Sequence, residues 1–324
     1  MKLRLSLALI GLGAAIVAQQ AVAAQLSYPT KPIRIIVGFP PSGSADIFAR
    51  LVGQKLTEAW QEQVVIDNRP GAGSTIGSEI AARATPDGYT LMVVSASYAT
   101  SAGLYGKLNY DPVNSFAPIS LIASTPNLLL AHPSVPAKSA RELIALAKSS
   151  PGKFNLGSSG TGSITHLSGV LFTDMAGIKV VHVPYKGGGP SLTDLVGGQI
   201  HLLFLSLPAS MGQIKAGRVK ALGVSSAKRS RALPDVPTIA ESGVAGYEAT
   251  NWYGILAPAG SPGPIITRLN KQIAEILRSS EVADSIATQG AEAEGSTPDH
   301  FRTYLKSEIT KWTKVIRDAG LRAQ

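Results

Sequence analysis

Glycine, serine, threonine and proline are concentrated in four short loops, each between an apolar segment typical of a strand and a segment typical of a helix. The loops are residues 38–46 (GFPPSGSAD), 68–77 (NRPGAGSTIG), 157–166 (GSSGTGSITH) and 184–191 (PYKGGGPS). Such loops leave backbone N–H groups unpaired at the start of a helix, where the helix dipole is positive. Because glycine allows close approach and hydroxyls add donors, the pattern predicts an anion site built from uncharged groups.

Other chemistries need patterns that this sequence lacks. Segment 71–77 (GAGSTIG) resembles a dinucleotide-binding fingerprint, but its third glycine comes one position late and the next strand ends without an acidic residue. There is no Walker A loop, no G-x-S-x-G nucleophile turn and no paired-histidine metal motif, and the chain has no cysteine. We therefore expect no catalytic residue, no metal and no cofactor, although an exported α/β enzyme stays open as an alternative.

Two other polar features have both a structural and a functional interpretation. His166 falls one turn into the helix that follows the third loop, so it is a candidate ligand contact. The only dense basic cluster, residues 228–231 (KRSR), is typical of a solvated turn. No aromatic-basic face or helix-turn-helix accompanies it, which disfavours nucleic-acid binding. A mild positive charge would instead help to collect small anions.

The first 24 residues have the pattern of a cleavable secretory signal peptide. Lys2 and Arg4 form a basic start, an apolar run follows, and Ala21-Val22-Ala23 supplies the small residues before the cleavage site. Removal of this segment lowers the net charge of the chain of 324 residues from +9 to +7, with 28 basic against 21 acidic residues. No later apolar run approaches the roughly 20 residues that span a bilayer. We expect a soluble, exported protein.

Strands alternate with helices along the mature chain, which predicts β-α-β units around mostly parallel sheets. Two separate strands are predicted on either side of Pro126, at residues 119–123 and 128–131. The strands are too many for one compact sheet, so we expect two lobes, with two glycine loops from each facing a cleft. The predicted division is 25–125 with 246–324 for lobe 1, and 126–245 for lobe 2.

Six segments together resemble the substrate-binding receptors of the tripartite tricarboxylate transporter system, the Bug-type periplasmic solute-binding proteins. They are residues 28–34 (YPTKPIR), 38–50, 68–73 (NRPGAG), 86–91 (PDGYTL), 184–187 (PYKG) and 252–258 (WYGILAP). The resemblance implies a two-lobe α/β protein of the Venus-flytrap, type II-like kind, with a mostly parallel sheet in each lobe, that closes on a small organic carboxylate. It implies a monomer that delivers its ligand to membrane permease subunits. A ligand-sensing co-receptor for a signalling system is the alternative that the sequence leaves open.

By position in the family, the resemblance assigns ligand contacts to both lobes. In the first lobe they are Phe39, Ser42, Gly43, Ser44, Ala72, Gly73, Ser74, Ser97 and Tyr98. In the second lobe they are Ser159, Gly160, Thr161, Gly162, Ser163, His166, Tyr185, Lys186 and Gly187. Asp46 and Arg50 are expected to hold the first loop in shape without touching the ligand.

Segment 204–208 (FLSLP) departs from the family, which commonly has Asp-Asn where this sequence has Leu205 and Ser206. An acidic residue in the pocket would suit a ligand ammonium group. We therefore include Leu205 and Ser206 among the ligand contacts, and expect a carboxylate with an apolar or aromatic body instead of an amino acid. The opposite interpretation, with Leu205 in the sheet core, stays open because alternate strand residues face opposite sides.

Overall fold

The structure, a computed structural model, describes residues 28–41 and 43–322, so the predicted signal peptide and Ser42 lie outside the described residues. Its strands are β1 (Ile33–Val37), β2 (Val64–Asn68), β3 (Thr90–Ser95), β4 (Phe116–Ala131), β5 (Asn155–Ser158), β6 (Val181–Pro184), β7 (Leu202–Ser206), β8 (Lys220–Val224), β9 (Thr250–Pro258) and β10 (Glu292–Ala293). Its α-helices are α1 (Ser44–Trp60), α2 (Thr75–Ala82), α3 (Ala96–Leu104), α4 (Ala140–Ser149), α5 (Ile164–Ala176), α6 (Gly188–Val196), α7 (Leu207–Lys215), α8 (Gly263–Arg278), α9 (Ser280–Thr288) and α10 (Pro298–Asp318). Within these ranges no helix combines the length and apolarity that a membrane span requires.

One half of the sheet is built around three parallel strands. β2 and β3 pair with β1 on its two sides, and β9 continues the sheet antiparallel to β3. β4 pairs antiparallel with β9 along residues 116–126, and the short β10 also pairs with β4. β1 and β3 are almost continuous runs of buried aliphatic residues, as expected for strands covered on both faces. We call this half, with its helices, the first lobe.

The other half of the sheet, which with its helices we call the second lobe, repeats the same strand order. β5 lies between β6 and β7 and is parallel to both, and β7 and β8 pair antiparallel with residues 127–131 of β4. The order β6-β5-β7-β4-β8 therefore matches β2-β1-β3-β9-β4. In each lobe the fourth strand, β9 in the first and β4 in the second, is the one that connects it to the other lobe. Each of the four glycine loops follows a parallel strand (β1, β2, β5 or β6), at the sheet edge where ligands of open α/β sheets bind.

β4 is one strand of 16 residues, so the prediction of two strands separated around Pro126 is wrong. Pro126 is tolerated because the strand changes its neighbours there. Pro126 lies opposite Thr250 of β9, whereas Asn127 lies opposite Ser206 of β7. Proline cannot donate to a sheet ladder, and a point where one ladder ends is a place where that loss is small. β4 thus passes from the first lobe to the second next to the predicted boundary between residues 125 and 126.

Helices α3 and α10 pack closely against each other in the first lobe. Trp312 and Ile316 of α10 are buried, and a Cβ added to Gly103 of α3 would lie 2.9 Å from Ile316 Cδ1 and 3.0 Å from Thr313 Cα. No helical pattern predicts α3, because its sequence ASYATSAGL is made of small and polar residues with little apolar periodicity. We infer that packing against α10, and not local sequence, stabilises this segment as a helix.

Candidate ligand-binding site

A cavity of about 430 Å³ lies between the two lobes. The first lobe lines it with Gly73, Ser97, Thr100, Ser101, Leu104 and Tyr105. The second lobe lines it with residues 159–163, the glycine loop after β5, and Arg322 beyond α10 completes the wall. The turn after β2 and the loop after β5, two of the four predicted loops, thus meet across one space.

A second cavity, of about 330 Å³, adjoins the first at Ser97, which lines both. Its lining includes Phe39, Gly43 and Ser44 from the loop after β1, Asn251 and Tyr253 from β9, and Ile164 from the second lobe. The Tyr253 hydroxyl accepts a hydrogen bond from Asn251 Nδ2 at 2.9 Å and is also hydrogen-bonded to the Ser44 side chain. Burial raises the pKa of Tyr253, so this hydroxyl stays protonated. The cleft therefore extends from the first glycine loop to Arg322.

The turn Ala72–Ser74 has a left-handed backbone at three successive residues, with φ angles of 47°, 62° and 81°. For residues with a side chain, such angles cost on the order of 1 kcal/mol or more and persist only where the surroundings impose them. Here Ser101 Oγ donates to the Gly73 carbonyl at 3.0 Å, and Ser74 is packed so tightly on Gly38 that a Cβ there would lie 2.1 Å from Ser74 Oγ. Imposed backbone strain of this kind is typical of binding sites.

Asp46 holds the first glycine loop from behind. Its carboxylate accepts hydrogen bonds from Arg50 Nε and Asn68 Nδ2, both at 2.9 Å, and Asn68 Nδ2 also donates to the Phe39 carbonyl at 3.0 Å. Asp46 is 2 % exposed and lies in the first turn of α1, where a negative charge is favourable. This agrees with the supporting role expected for Asp46 and Arg50, since neither lines a cavity of the cleft.

Internal hydrogen bonds occupy much of the glycine loop after β5. The amides of Ser159 and Gly160 donate to Thr165 Oγ1 at 2.9 Å and to Ser158 Oγ at 3.2 Å. The amide of Gly162 donates to a ring nitrogen of the following helix at 3.0 Å. The loop therefore has fewer free N–H groups than its sequence indicates. Its hydroxyls are the main groups that it can offer to a ligand.

Three serine and threonine hydroxyl groups on the cavity wall are available to a ligand, in addition to the Tyr105 hydroxyl. Ser97 of the first lobe and Ser159 and Thr161 of the second line the cavity, and within the described ranges their side chains make no hydrogen bond. Helix α3 begins without a side-chain cap, so the amides of its first turn add donors beside Ser97. The cleft thus presents uncharged donors from both lobes to the same volume.

Ser163 and His166 hold the glycine loop after β5 in its conformation through hydrogen bonds. Ser163 Oγ accepts the His166 amide at 3.2 Å, which caps α5, and donates to the Gly160 carbonyl at 2.7 Å. His166 is 6 % exposed, and its ring stacks on that of His182 with the centroids 3.8 Å apart. Its Nδ1 accepts the Gly162 amide. The structure therefore places His166 behind the loop, as a positioning residue that lines neither cavity, whereas Ser163 lies on the wall.

We expect the protein to lose stability in mildly acidic solution because of His166. Burial, together with the neighbouring His182, lowers the pKa of His166 from 6.5 to about 4. Between these pH values the unfolded chain binds a proton that the folded chain does not. The free energy of unfolding should therefore decrease as the pH falls from about 6.5 to about 4, by up to about 3 kcal/mol. Denaturant titrations at a series of pH values measure this decrease.

His166→Gln should reduce that pH dependence, because an amide does not titrate and its oxygen can still accept the Gly162 N–H. The contribution of His182, whose pKa is also lowered by burial, should remain. The exposed His300 provides the matched control, since His300→Gln should leave the wild-type profile unchanged. An equal loss of stability with pH in the wild type and in His166→Gln would contradict this account.

Three predicted contacts of the fourth glycine loop and one of α3 lie away from both cavities. Tyr98 is 1 % exposed; its ring packs against the buried aromatic side chains around it, and its hydroxyl donates to the Pro112 carbonyl at 2.8 Å. Tyr185 donates to Asp194 Oδ2 at 2.7 Å, and Lys186 and Gly187 belong to the same loop, which lines neither cavity. The expectation that Tyr98 is a ligand contact is corrected, because its ring packs in the core.

Leu205 belongs to the hydrophobic core of the second lobe. It is 4 % exposed, and its Cδ1 would lie 2.7 Å from a Cβ added to Gly188, so it supports the start of α6. Ser206 precedes α7 as its N-cap, and neither residue lines a cavity. This corrects the expectation that Leu205 and Ser206 form a cleft wall: the alternation of β7 turns Leu205 inward. Leu205 therefore gives no reason to exclude an amino-acid ligand.

Several wall residues are absent from the sequence-based site. They include Thr100, Ser101, Leu104, Tyr105, Ile164, Asn251, Tyr253 and Arg322. No sequence signal marks the wall residues that follow Ser97, because α3 (Ala96–Leu104) has little apolar periodicity. Tyr253 lies in the segment 252–258 that carries the family resemblance. No local pattern singles out Arg322.

Within the described residues, two serine–histidine pairs have the spacing of a nucleophile and a general base. One of them, Ser134 Oγ and His132 Nδ1 at 2.7 Å, lies in a surface turn that lines neither cavity of the cleft. The other pair is next to the glycine loop after β5. Ser158 Oγ and His182 Nε2 are 2.7 Å apart. Ser158 is 1 % exposed, and neither residue lines a cavity of the cleft. The pair supports the loop after β5 and offers a substrate no access to the hydroxyl.

Two α/β lobes joined by crossing strands, with a cleft of uncharged donors between them, define a solute-binding receptor of the periplasmic binding-protein class. Residues 48–321 match the family model described as "Tripartite tricarboxylate transporter family receptor". The chain belongs to this receptor family. The match confirms the predicted family and fold class, and it confirms the expectation that the protein is a receptor and not an enzyme.

Three similar proteins illustrate the relationship. Protein BugT of Bordetella pertussis is 36 % identical over 319 residues, covering 97 % of this chain and 97 % of BugT. The structure of R. palustris Rpa4515 with adipate is 38 % identical, with a TM-score of 0.76, and covers 91 % of this chain and 99 % of that one. MatC from Rhodopseudomonas palustris with bound malate is 30 % identical, with a TM-score of 0.72, and covers 89 % of this chain and 100 % of MatC.

Proposed function

We propose that this receptor is exported to the periplasm, where it binds a small organic carboxylate between its lobes and delivers it to a membrane permease. The observation that carries the proposal is the convergence of hydroxyls on one cavity, from Ser97 in one lobe and from Ser159 and Thr161 in the other. A carboxylate that accepts hydrogen bonds from both lobes would favour their closed arrangement, because bonds to a charged acceptor are stronger than bonds to a neutral one. The adipate and malate held by relatives are both carboxylates.

Delivery to a permease has one rival with the same fold and ligand, a co-receptor that reports the ligand to a sensor. Both partners would touch the outer surfaces of the lobes, so the cleft does not distinguish them. Uptake of the labelled ligand by cells with and without the gene does. Loss of uptake supports delivery, whereas normal uptake with a lost transcriptional response supports sensing.

We expect calorimetry to detect binding of a carboxylate with little dependence on salt. The panel comprises aliphatic and aromatic mono-, di- and tricarboxylates, with amino acids, sulfonates and uncharged alcohols for comparison. Because the donors are mainly hydroxyls and amides, the Kd should rise less than about fivefold between low and physiological ionic strength. A rise of about a hundredfold would indicate a clamp of several Lys or Arg side chains instead, and binding of uncharged solutes alone would reject the proposed ligand class.

A further inference from the structure

One cationic side chain reaches the interlobe cavity. Of the described residues that line it, Arg322 is the one with a formal charge; the others are glycines, hydroxyl-bearing residues and Leu104. Arg322 is exposed and, within the described ranges, makes no ion pair. A guanidinium is charged at every physiological pH and presents a planar fork of donors that matches a carboxylate.

The end of α10 anchors the backbone immediately before Arg322. The Leu321 amide donates to the Ile316 carbonyl and the Gly320 amide to the Arg317 carbonyl, both at 3.0 Å, and Gly320 has a φ of 65°. This is the Schellman arrangement, in which a left-handed residue ends a helix and turns the chain. Leu321 then packs against the hydrophobic core. The chain is thus anchored on both sides of the turn immediately before Arg322.

Arg322 also belongs to the same rigid unit as one wall of the cavity. Ile316 of α10 is buried against α3 at Gly103, and α3 carries Ser97 and Ser101 on the cavity wall. Because a single helix pair holds both the hydroxyls and the guanidinium, their relative positions do not depend on how the second lobe moves. A ligand anion bound by the hydroxyls therefore has a positively charged side chain on the wall of the same cavity.

We propose that Arg322 is a specificity-determining residue that selects ligands with a second negatively charged group. The inference rests on the proposed binding of a carboxylate in this cleft. The hydroxyls of both lobes hold the first carboxylate, and Arg322 pairs with the second. A monocarboxylate of the same skeleton leaves the guanidinium in water and gains nothing from it.

Matched acid pairs test this inference: hexanoate with adipate, and benzoate with terephthalate. Calorimetry should show the wild type binding the better diacid at least about tenfold more tightly than its monoacid partner. Arg322→Gln should weaken diacid binding about tenfold and change monoacid binding less than about twofold, whereas Arg322→Lys should keep part of the preference. Arg302→Gln is the matched control, because Arg302 is an exposed arginine of α10 that lines neither cavity.

The outcomes separate the inference from the proposed function. Equal affinity of the wild type for the two acids of a pair, or an unchanged diacid preference in Arg322→Gln, would overturn the role of Arg322 while carboxylate binding stands. A loss in Arg322→Gln that Arg302→Gln reproduces would show a general charge effect and overturn it as well. Binding restricted to uncharged solutes would overturn both the proposed function and the inference.

Discussion

Gly38→Ala is expected to weaken ligand binding at least about tenfold while the protein still folds. The added Cβ would lie 2.1 Å from Ser74 Oγ, 2.7 Å from Ser74 Cβ and 3.0 Å from Ser74 Cα. Because two of these atoms are not the far end of a flexible side chain, the strained turn Ala72–Ser74 must move, and Gly73 with it. Overpacking of this kind typically costs about 1–3 kcal/mol in stability. Calorimetry with the best ligand of the panel measures the loss of affinity, and denaturant unfolding measures the stability.

A second substitution makes this test specific. Ser74→Gly in the Gly38→Ala background removes the clashing side chain and suits the φ of 81° at position 74, so it should restore most of the affinity. Gly212→Ala is the control: it lies inside α7 with no atom within 4 Å of the added Cβ, so it should leave binding unchanged and stability equal or slightly higher. Wild-type affinity in Gly38→Ala would show that the turn after β2 does not form the site.

Glu308→Ala is expected to produce a large loss of stability, about 3–5 kcal/mol. Glu308 is 3 % exposed and accepts the indole N–H of Trp252 at 2.9 Å and that of Trp312 at 3.0 Å, and its other oxygen pairs with Lys311. Removal of the carboxylate leaves two buried N–H donors without an acceptor and opens a space between α10 and β9. Thermal unfolding should show a decrease in Tm on the order of 10 °C.

Two further variants separate the buried network from a simple loss of charge. Glu308→Gln keeps an acceptor oxygen for the indoles, so its stability should lie between those of the wild type and Glu308→Ala. Glu275→Ala removes an exposed carboxylate of α8 and should change the stability by less than about 0.5 kcal/mol. If Glu308→Ala unfolds within about 1 kcal/mol of the wild type, the two indole hydrogen bonds contribute little to the attachment of α10.

Local sequence was sufficient for the family and for most of the elements, although it did not indicate α3 and it divided β4 into two strands. The four glycine loops follow β1, β2, β5 and β6, as their composition indicates, because glycine, proline and hydroxyl residues mark turns through their own backbone preferences. The segments that carry the family resemblance also lie in the strands and loops of the two lobes. Thus the two-lobe α/β architecture and the general place of the cleft were predictable.

The assignment of individual side chains to the cleft was less predictable. Side chains alternate along a strand, so a shift of one position decides whether Leu205 faces a ligand or the core, and neither choice changes the local apolar pattern. Tyr98 was ambiguous in the same way, since a tyrosine can present its ring to a ligand or bury it and satisfy its hydroxyl, here on the Pro112 carbonyl. In both cases the packing of neighbouring elements determines whether the side chain faces the cleft or the core.

The sequence by itself determined the family, most of the strands and helices and the glycine-rich turns, because these depend on residues close together in the chain. Only the tertiary structure decided that β4 passes unbroken between the lobes, that His166 supports a loop from behind, and that Arg322 shares a cavity with Ser97. Those three results depend on contacts between segments far apart in sequence. The physical reason is that burial, shared hydrogen bonds and close helix packing select among conformations that local preferences leave nearly equal in free energy.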